Sequence, residues 1–164
     1  MTAALVTERL ALRVLTREDA GWITEHIVNP NVQQWLSGPP HPFTRVDAQD
    51  WLDTAALNPS YRAILADGEP LGVMSIAQNV LGYWLKESAW GQGYATEAAR
   101  ALIDWHFAQG GRDLTSGWHM GNARSSAVLR KLGFRDLERR TEYAPVHGCD
   151  VEVQKVTLSA PLRA

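Results

Sequence analysis

The sequence has a single cysteine and no long apolar run, and these absences exclude several classes of protein. With Cys149 as its one thiol, the chain forms neither an intrachain disulfide nor a multi-cysteine metal cluster, and we interpret Cys149 as a bystander near a turn. The segment Met1–Leu10 lacks the basic stretch and apolar run of a signal peptide. No apolar stretch approaches the roughly 20 residues of a membrane helix. We therefore expect a cytoplasmic protein with no metal and no membrane partner.

Blocks of like charge are also missing. The chain carries 16 basic and 18 acidic residues, for a formal net charge of −2. A general nucleic-acid binder needs clustered lysine and arginine, so we expect no nucleic-acid partner. The length of 164 residues and the hydrophobic content of 45% predict one domain, spanning residues 1–164, with its own packed core.

The spacing of apolar residues predicts strands and helices in alternation. Alternating leucines favour a half-buried strand at Arg9–Leu15, and Thr16 with Asp19 forms an acidic variant of the capping box before a helix. The Pro- and Asn-rich segment Asn29–Thr44 predicts a loop with one helical turn at Val32–Leu36. The remaining expectations are a helix at Arg45–Ala56, a hairpin of Tyr61–Ala66 and Pro70–Ala77, a central strand at Val80–Lys86, a weak strand within Arg112–Met120, a short helix within Asn122–Leu132 and two strands within Gly133–Ser159. Together they predict a mixed α/β sandwich with one sheet.

Two glycines, Gly91 and Gly93, stand directly before an alanine-rich helical stretch in the segment Glu87–Phe107. Free N–H groups at a helix start, together with the helix dipole, favour an anion, and glycine lets the backbone approach it closely. The same pattern also makes an ordinary turn. It lacks the lysine of a triphosphate-binding loop and the third glycine of a dinucleotide fingerprint. The pattern alone therefore leaves both interpretations open.

A second segment, "NARSSAVLRKLGF" at Asn122–Phe134, predicts a short helix that begins at a cap and ends at Gly133. Taken alone, Asn122 suits a helix cap as well as a ligand contact. Ser125, one turn into the helix, suits a structural role.

Together, "LGYWLKESAWGQGYATEAARAL" and "NARSSAVLRKLGF" resemble the GNAT superfamily of acetyl-CoA-dependent N-acetyltransferases. The stretches "TERLALR", "REDA" and "WLSGPPHPFT" extend the resemblance over nearly the whole chain, and the Rim-type branch of ribosomal-protein N-terminal acetyltransferases is the most similar. The resemblance implies a mixed, mostly antiparallel central sheet with splayed central strands and helices on both faces. It also implies acetyl-CoA as cosubstrate.

The resemblance assigns roles to residues of both segments. The glycine loop would hold the pyrophosphate of coenzyme A, mostly through backbone N–H groups. The strand before it would bond the pantetheine arm through its main chain, Asn122 would contact the arm, and Ser125 would lie near the thioester sulfur. The implied cofactor-binding residues are Tyr83, Trp84, Leu85, Trp90, Gly91, Gln92, Gly93, Tyr94, Ala95, Asn122 and Ser125.

Two positions depart from the wider superfamily. Trp90 stands where arginine or glutamine is usual, although an aromatic residue there is typical of the Rim-type branch. Leu129 stands where many members have the tyrosine that protonates the leaving thiolate. We therefore expect Ser125 to act as the acid, and a backbone N–H near Leu85 to hold the carbonyl oxygen.

The general base is less defined by the sequence. Glu87 follows the central strand and is the first candidate, although an exposed loop carboxylate is the alternative interpretation. Glu97 suits a role in its own helix, and Tyr143 and His147 lie in the late loop where superfamily substrate pockets often end. Catalysis mainly by positioning is a further alternative.

The acceptor is expected to meet the loop that carries Trp35 and Phe43, together with Tyr143; core packing is the alternative for Trp35. A peptide α-amine, whose pKa of about 7.7–8.0 lies below the roughly 10.4 of lysine, needs little activation near neutral pH. The alternatives are a small-molecule amine, such as an amino acid, polyamine or antibiotic, a non-catalytic acyl-CoA-binding module, and a phosphate-binding fold unrelated to coenzyme A. A monomer and a homodimer both remain open, as do acetyl and longer acyl donors.

Overall fold

A computed structural model describes residues 2–162 of the chain. Within these residues the strands are β1 (Leu5–Val6), β2 (Ala11–Val14), β3 (Tyr61–Ala66), β4 (Glu69–Ala77), β5 (Val80–Leu85), β6 (Leu114–His119), β7 (Arg135–Ala144) and β8 (Cys149–Leu158). The α-helices are α1 (Ala20–Ile27), α2 (Pro30–Gln33), α3 (Arg45–Ala55), α4 (Tyr94–Ala108) and α5 (Ala123–Lys131). Short 3-10 turns lie at Arg17–Asp19 and Glu87–Ala89.

The described strands form one sheet in the order β1-β2-β3-β4-β5-β6-β8-β7. Neighbouring strands are antiparallel, with the exception of β5 and β6, which are parallel. β4 and β5 are paired from Gly72 to Ala77, whereas β5 and β6 share a single bridge between Val80 and Thr115. The centre of the sheet is therefore splayed, and the predicted mixed, mostly antiparallel sheet is confirmed.

Helices pack on both faces of the sheet. On one face Leu102 of α4 and Leu129 of α5 join a core that includes Met74 of β4. On the other face Ile23 and Leu52, from α1 and α3, pack with sheet residues that include Val73. Since neighbouring residues of a strand point to opposite faces, Val73 and Met74 belong to different cores.

A bulge in β4 brings its backbone close to the end of β5. The register of β3 with β4 shifts between Ile64 and Leu65, immediately opposite Gly72. A Cβ built on Gly72 would lie 2.1 Å from the carbonyl oxygen of Trp84. A glycine at this position therefore permits the close approach that sets the path of β5, one wall of the splayed region.

The turn into α1 follows the predicted capping pattern. The Asp19 carboxylate accepts a hydrogen bond from the backbone N–H of Thr16 at 2.8 Å and two from the guanidinium of Arg13 at 2.8 and 2.9 Å. The indole of Trp22 donates to the same carboxylate at 2.7 Å. Burial raises the pKa of Asp19, but these donors outweigh it and hold the pKa below its ordinary value.

The predicted hairpin, the helix at Arg45–Ala56 and the central strand all form. The strand Tyr61–Ala66 has the predicted bounds, and the bounds of the other three elements differ by one residue. The helical turn lies at Pro30–Gln33 rather than Val32–Leu36, because the side chain of Asn29 caps it and proline occupies its first position. The short strand β1 was not predicted, since two residues carry no periodic signal.

Candidate active site

The splayed strands β5 and β6 enclose a cleft. Beyond their single bridge, the hydroxyl of Ser116 donates to the carbonyl of Leu81 at 2.7 Å and makes a further link between them. A cavity of about 930 Å³ lies between the strands and extends to both faces of the sheet. Ligand pockets typically measure about 300–1,000 Å³, so the cavity accommodates a large ligand.

The main chain of β5 faces this cleft at alternate residues. The N–H of Lys86 donates to the carbonyl of Leu71 in β4 at 2.7 Å. Because the main-chain groups of a strand alternate in direction, Trp84 also turns towards β4, while Tyr83 and Leu85 turn their N–H and C=O groups towards the cleft. The Leu85 carbonyl already accepts a hydrogen bond from the Trp90 indole at 2.9 Å. The Tyr83 groups and the Leu85 N–H therefore form an edge that a linear ligand can pair with.

The turn before α4 presents backbone N–H groups to the same cavity. Gly91 and Gly93 have φ angles of 75° and 79°, which glycine adopts readily. Gly93 is the N-cap of α4 and offers no side chain to the first N–H groups of the helix. A Cβ on Gly91 would meet nothing within 4 Å, so space lies directly beside the turn. The turn therefore has the features of an anion site.

Arg9 fixes the turn from outside. Its guanidinium donates to the carbonyl of Gln92 at 2.8 Å and to the carboxylate of Glu97 at 2.7 Å, and it lies over the Tyr94 ring at 4.6 Å. The Gln92 side chain donates to the carbonyl of Ser88 at 3.1 Å and does not line the cavity. The carbonyl and the side chain of Gln92 are therefore both engaged outside the cavity lining.

A second arginine lies at the cavity side of the turn. The guanidinium of Arg124, in the first turn of α5, stacks on the ring of Trp90 at 3.9 Å from the ring centroid. Both residues line the cavity. Trp90, which departs from the wider superfamily pattern, thus positions the positively charged guanidinium of Arg124 beside the glycine turn.

Tyr83 and Ser125 meet at the centre of the cleft. The Tyr83 hydroxyl lies 2.9 Å from the Ser125 hydroxyl, and both residues line the cavity. Burial raises the pKa of Tyr83 to about 12, and the hydrogen bond with Ser125 lowers it in part. Asn122 caps α5 by accepting the N–H of Ser125 at 3.2 Å, so its amide NH₂ group remains for other contacts.

The opposite face of the sheet provides an aromatic wall to the cavity. Trp35 and Phe43, predicted to meet the acceptor, both line it. Tyr143 does not; its side chain is 60% exposed, and the neighbouring Glu142 lines the cavity instead. The other aromatic and carboxylate residues of this wall are Asp47, Asp50, Trp51 and Trp84.

A histidine that the sequence did not single out lines this wall. His119, the last residue of β6, is buried at 8% exposure, and its Nε2 lies 2.7 Å from the hydroxyl of Ser37. Burial lowers the pKa of His119 below its ordinary value. The lowered pKa favours the neutral form of the ring, which is the form that can accept a proton.

Comparison with known proteins identifies the family of this chain. Residues 9–135 match the family model described as acetyltransferase (GNAT) domain. The chain belongs to the GNAT acetyltransferase family. The predicted superfamily is thereby confirmed. No match to this GNAT chain is found among the curated proteins.

Solved structures of GNAT proteins share the fold over nearly the whole chain. A GNAT-family acetyltransferase from Bacillus anthracis is 18% identical, with 96% of this chain and 98% of that chain covered and a TM-score of 0.81. An acetyltransferase from Salmonella typhimurium that modifies the N-terminal serine of ribosomal protein L7/L12 is 20% identical, with coverage of 96% and 99% and a TM-score of 0.81. The microcin C7 self-immunity acetyltransferase MccE is 17% identical, with coverage of 93% for both chains and a TM-score of 0.79. MccE was solved with acetyl-CoA and AMP, and acetyl-CoA is the cosubstrate that the sequence predicts here.

Three residues that the sequence analysis considered for the general base, Glu87, Glu97 and His147, do not line the cavity. Glu87 accepts hydrogen bonds from the side chains of Asn31 at 2.5 Å and Asn29 at 3.5 Å. Glu97 is held by Thr7 and Arg9. The Nε2 of His147 lies 2.7 Å from the carbonyl of Gln34. None of the three carboxylate or imidazole groups lines the cavity, whereas His119 does.

Residues 2–162 contain no group of three or more His, Cys, Asp or Glu side chains arranged to hold a metal ion. In the same range no helix has the length and apolar character needed to span a membrane.

Proposed function

We propose that this GNAT protein transfers an acetyl group from acetyl-CoA to a primary amine, by direct attack of the amine in a ternary complex. The observation that carries the proposal is the position of the open β5 edge. It runs between the glycine turn at Gly91–Gly93 and the wall that contains Trp35 and Phe43, with Ser125 beside it. One cavity thus joins an anion site, a main-chain edge, a hydroxyl pair and an aromatic acceptor wall.

The donor end fits the chemistry of coenzyme A. The backbone N–H groups of residues 91–95 would bind the pyrophosphate, with the positive charge of Arg124 nearby. The amides of the pantetheine arm would pair with the cleft-facing groups of Tyr83 and Leu85, and the Asn122 amide would add a contact. Trp84 would contribute its side chain to the wall rather than its main chain to the arm.

The leaving thiolate would be stabilised by Ser125. A thiol has a pKa of about 8.5, whereas that of Tyr83 is raised to about 12. Transfer of the Tyr83 proton to the sulfur would therefore be uphill by roughly 5 kcal/mol, at 1.36 kcal/mol per pKa unit. We assign Tyr83 the role of a positioning residue: its O–H donates to Ser125 Oγ and leaves the Ser125 O–H free to donate to the sulfur. The Leu85 N–H would bind the acetyl oxygen as negative charge develops on it.

A peptide or protein N-terminal α-amine is our first candidate for the acceptor. The reactive amine must be neutral, and an α-amine with a pKa of about 7.7–8.0 provides that form near pH 7 far more readily than lysine does. The Salmonella relative, which modifies a protein N-terminal serine, supports this choice.

A small-molecule amine is the second candidate, and a contact between two loops favours it. The hydrogen bond from His147 to the Gln34 carbonyl at 2.7 Å joins the β7–β8 turn to the loop that carries Trp35. This contact restrains the loop that carries Trp35, and we infer that it limits the room for an extended peptide at the acceptor wall. The MccE relative was solved with AMP as well as acetyl-CoA, which supports this second candidate.

A thiol-release assay with a panel of acceptors tests the proposal. The purified protein would be mixed with acetyl-CoA and, separately, with short peptides bearing different N-terminal residues, amino acids and polyamines. We expect amine-dependent release of coenzyme A and an acetylated acceptor, and the preferred class decides between the two candidates. Binding of acetyl-CoA by calorimetry without any turnover would instead indicate a non-catalytic acyl-CoA-binding module.

A further inference from the structure

His119 and Ser37 form a polar pair on the acceptor side of the cleft. Trp118 belongs to the core that contains α4 and α5, so its neighbour His119 points to the opposite face, where α1 and α3 pack. There His119 Nε2 meets the hydroxyl of Ser37 at 2.7 Å, and both side chains line the cavity. The pair thus lies on the face that carries the aromatic acceptor wall.

The groups that face His119 come from several elements. Burial lowers its pKa first of all, and the charges of His147 in the β7–β8 turn and Lys155 in β8 act in the same direction. The carboxylate of Glu142 in β7 and the backbone of Gln34 favour the protonated ring. Glu142 forms a salt bridge with Lys155 at 2.5 Å, so the opposite charges of these two neighbours of His119 offset each other.

We propose that His119 is the general base of the acetyl transfer and that it receives the proton of the acceptor amine through the hydroxyl of Ser37. The inference rests on the proposed function, because it needs an amine on this wall of the cavity. Ser37 touches the amine and passes the proton, and His119 Nε2 is the final acceptor. Among the described residues that line the cavity, His119 is the one histidine.

The step balances in bonds and protons. The lone pair of the neutral amine nitrogen forms a bond to the acetyl carbonyl carbon, and the bond from that carbon to sulfur breaks with its electron pair on sulfur. The nitrogen, which becomes positively charged, loses a proton to Ser37 Oγ as the Ser37 proton moves to His119 Nε2. The products are an amide, the coenzyme A thiolate and an imidazolium that returns its proton to solvent or to the thiolate.

The variant His119→Gln tests the inference. Glutamine retains a polar side chain that can bond Ser37 but does not titrate. General-base catalysis contributes typically 10²–10⁴-fold, so we expect kcat to fall by about 100-fold or more. In the wild-type protein, titration of His119 should make kcat rise with pH on the acid side of the ordinary histidine pKa. We expect this rise to disappear in the variant, while acetyl-CoA binds with unchanged affinity. Wild-type kcat with the wild-type pH profile in His119→Gln would overturn the inference.

Two further variants keep the test decisive. His106→Gln makes the same change on α4, where His106 Nε2 bonds the Arg112 carbonyl at 2.9 Å away from the cavity, and should keep the wild-type pH profile. If His119→Gln fails to fold, Ser37→Ala takes its place, and kcat should fall about 10-fold or more; an unchanged kcat and pH profile would overturn the inference. Absence of turnover in the wild-type protein would contradict the proposed function itself, and is thus distinguishable from failure of the His119 assignment.

Discussion

The hydroxyls of Tyr83 and Ser125 lie 2.9 Å apart, where strand β5 faces the first turn of helix α5. This contact joins the two segments whose residues resemble the GNAT pattern, although 42 positions separate them in the chain. Leu129, which stands where many superfamily members have a tyrosine, is fully buried in the core. The Tyr83–Ser125 pair, in contrast, lines the cavity. Ser125 is the member of the pair that we propose as the hydrogen-bond donor to the leaving thiolate.

Removal of the Ser125 hydroxyl should slow turnover. A hydrogen bond to a charged group contributes about 1.5–3 kcal/mol, so Ser125→Ala should lower kcat by about 10- to 100-fold with little change in acetyl-CoA affinity. Tyr83→Phe should lower kcat as well, but add little in the Ser125→Ala background, because it acts through Ser125. Steady-state kinetics of the single and double variants measure this.

A serine one residue further along α5 provides the control. Ser126 is half-buried, accepts a hydrogen bond from Arg130 at 3.4 Å and does not line the cavity, so Ser126→Ala should retain wild-type kinetics. Equal kcat values for Ser125→Ala and the wild-type protein would remove Ser125 from the mechanism.

Two glycines with the same backbone conformation make it possible to distinguish a loss of stability from a loss of ligand binding. Gly91, in the turn before α4, and Gly68, between β3 and β4, have φ angles of 75° and 78°, and a Cβ on either would meet nothing within 4 Å. Alanine at each position should therefore cost a similar free energy of unfolding, about 1 kcal/mol. Gly91→Ala alone should weaken acetyl-CoA binding, by about 10-fold, because its methyl group enters the anion site.

Calorimetry with acetyl-CoA and thermal melting of both variants give the comparison. A loss of affinity that is equal in Gly68→Ala and Gly91→Ala would mean that general destabilisation, and not the turn, explains the effect.

Asp19 should make stability depend on pH in the acid range. Its folded-state pKa lies below the ordinary value of 3.8, so its contribution is fully present above that value and is lost as the pH falls through the folded-state pKa. Asp19→Asn should lower the free energy of unfolding at pH 7 by about 1–3 kcal/mol, since Arg13 and the Thr16 N–H lose a charged acceptor. Urea unfolding at pH 7 and near pH 3 should show a smaller difference between wild type and variant at the lower pH; a constant difference would contradict the assignment.

Local patterns were sufficient to predict most of the fold. Alternating leucines and capping residues act over a few residues, and the corresponding strands and helices form within a residue or two of the expected bounds. The glycine turn and the strand before it could likewise be placed beside one another, because both lie in one continuous segment.

The acceptor side could not be predicted in the same way, because long-range contacts build it. His119 and Ser37 are 82 positions apart, and Arg9 meets Gln92 across 83 positions. A histidine at a strand end carries no periodic signal, and the face on which it lies depends on the register of β6 with β8. Glu87 followed the right strand in the sequence, but the 3-10 turn at Glu87–Ala89 directs its carboxylate to Asn31.

We propose that the β5–β6 cleft transfers an acetyl group from acetyl-CoA to an amine. The most direct measurement follows released thiol and the mass of the acceptor in one reaction, for the wild-type protein and Gly91→Ala. We expect thiol and acetylated amine in equal amounts from the wild-type protein, and a rate that falls with Gly91→Ala at subsaturating acetyl-CoA. No acetylated amine from any acceptor in the panel, with acetyl-CoA bound, would contradict the claim.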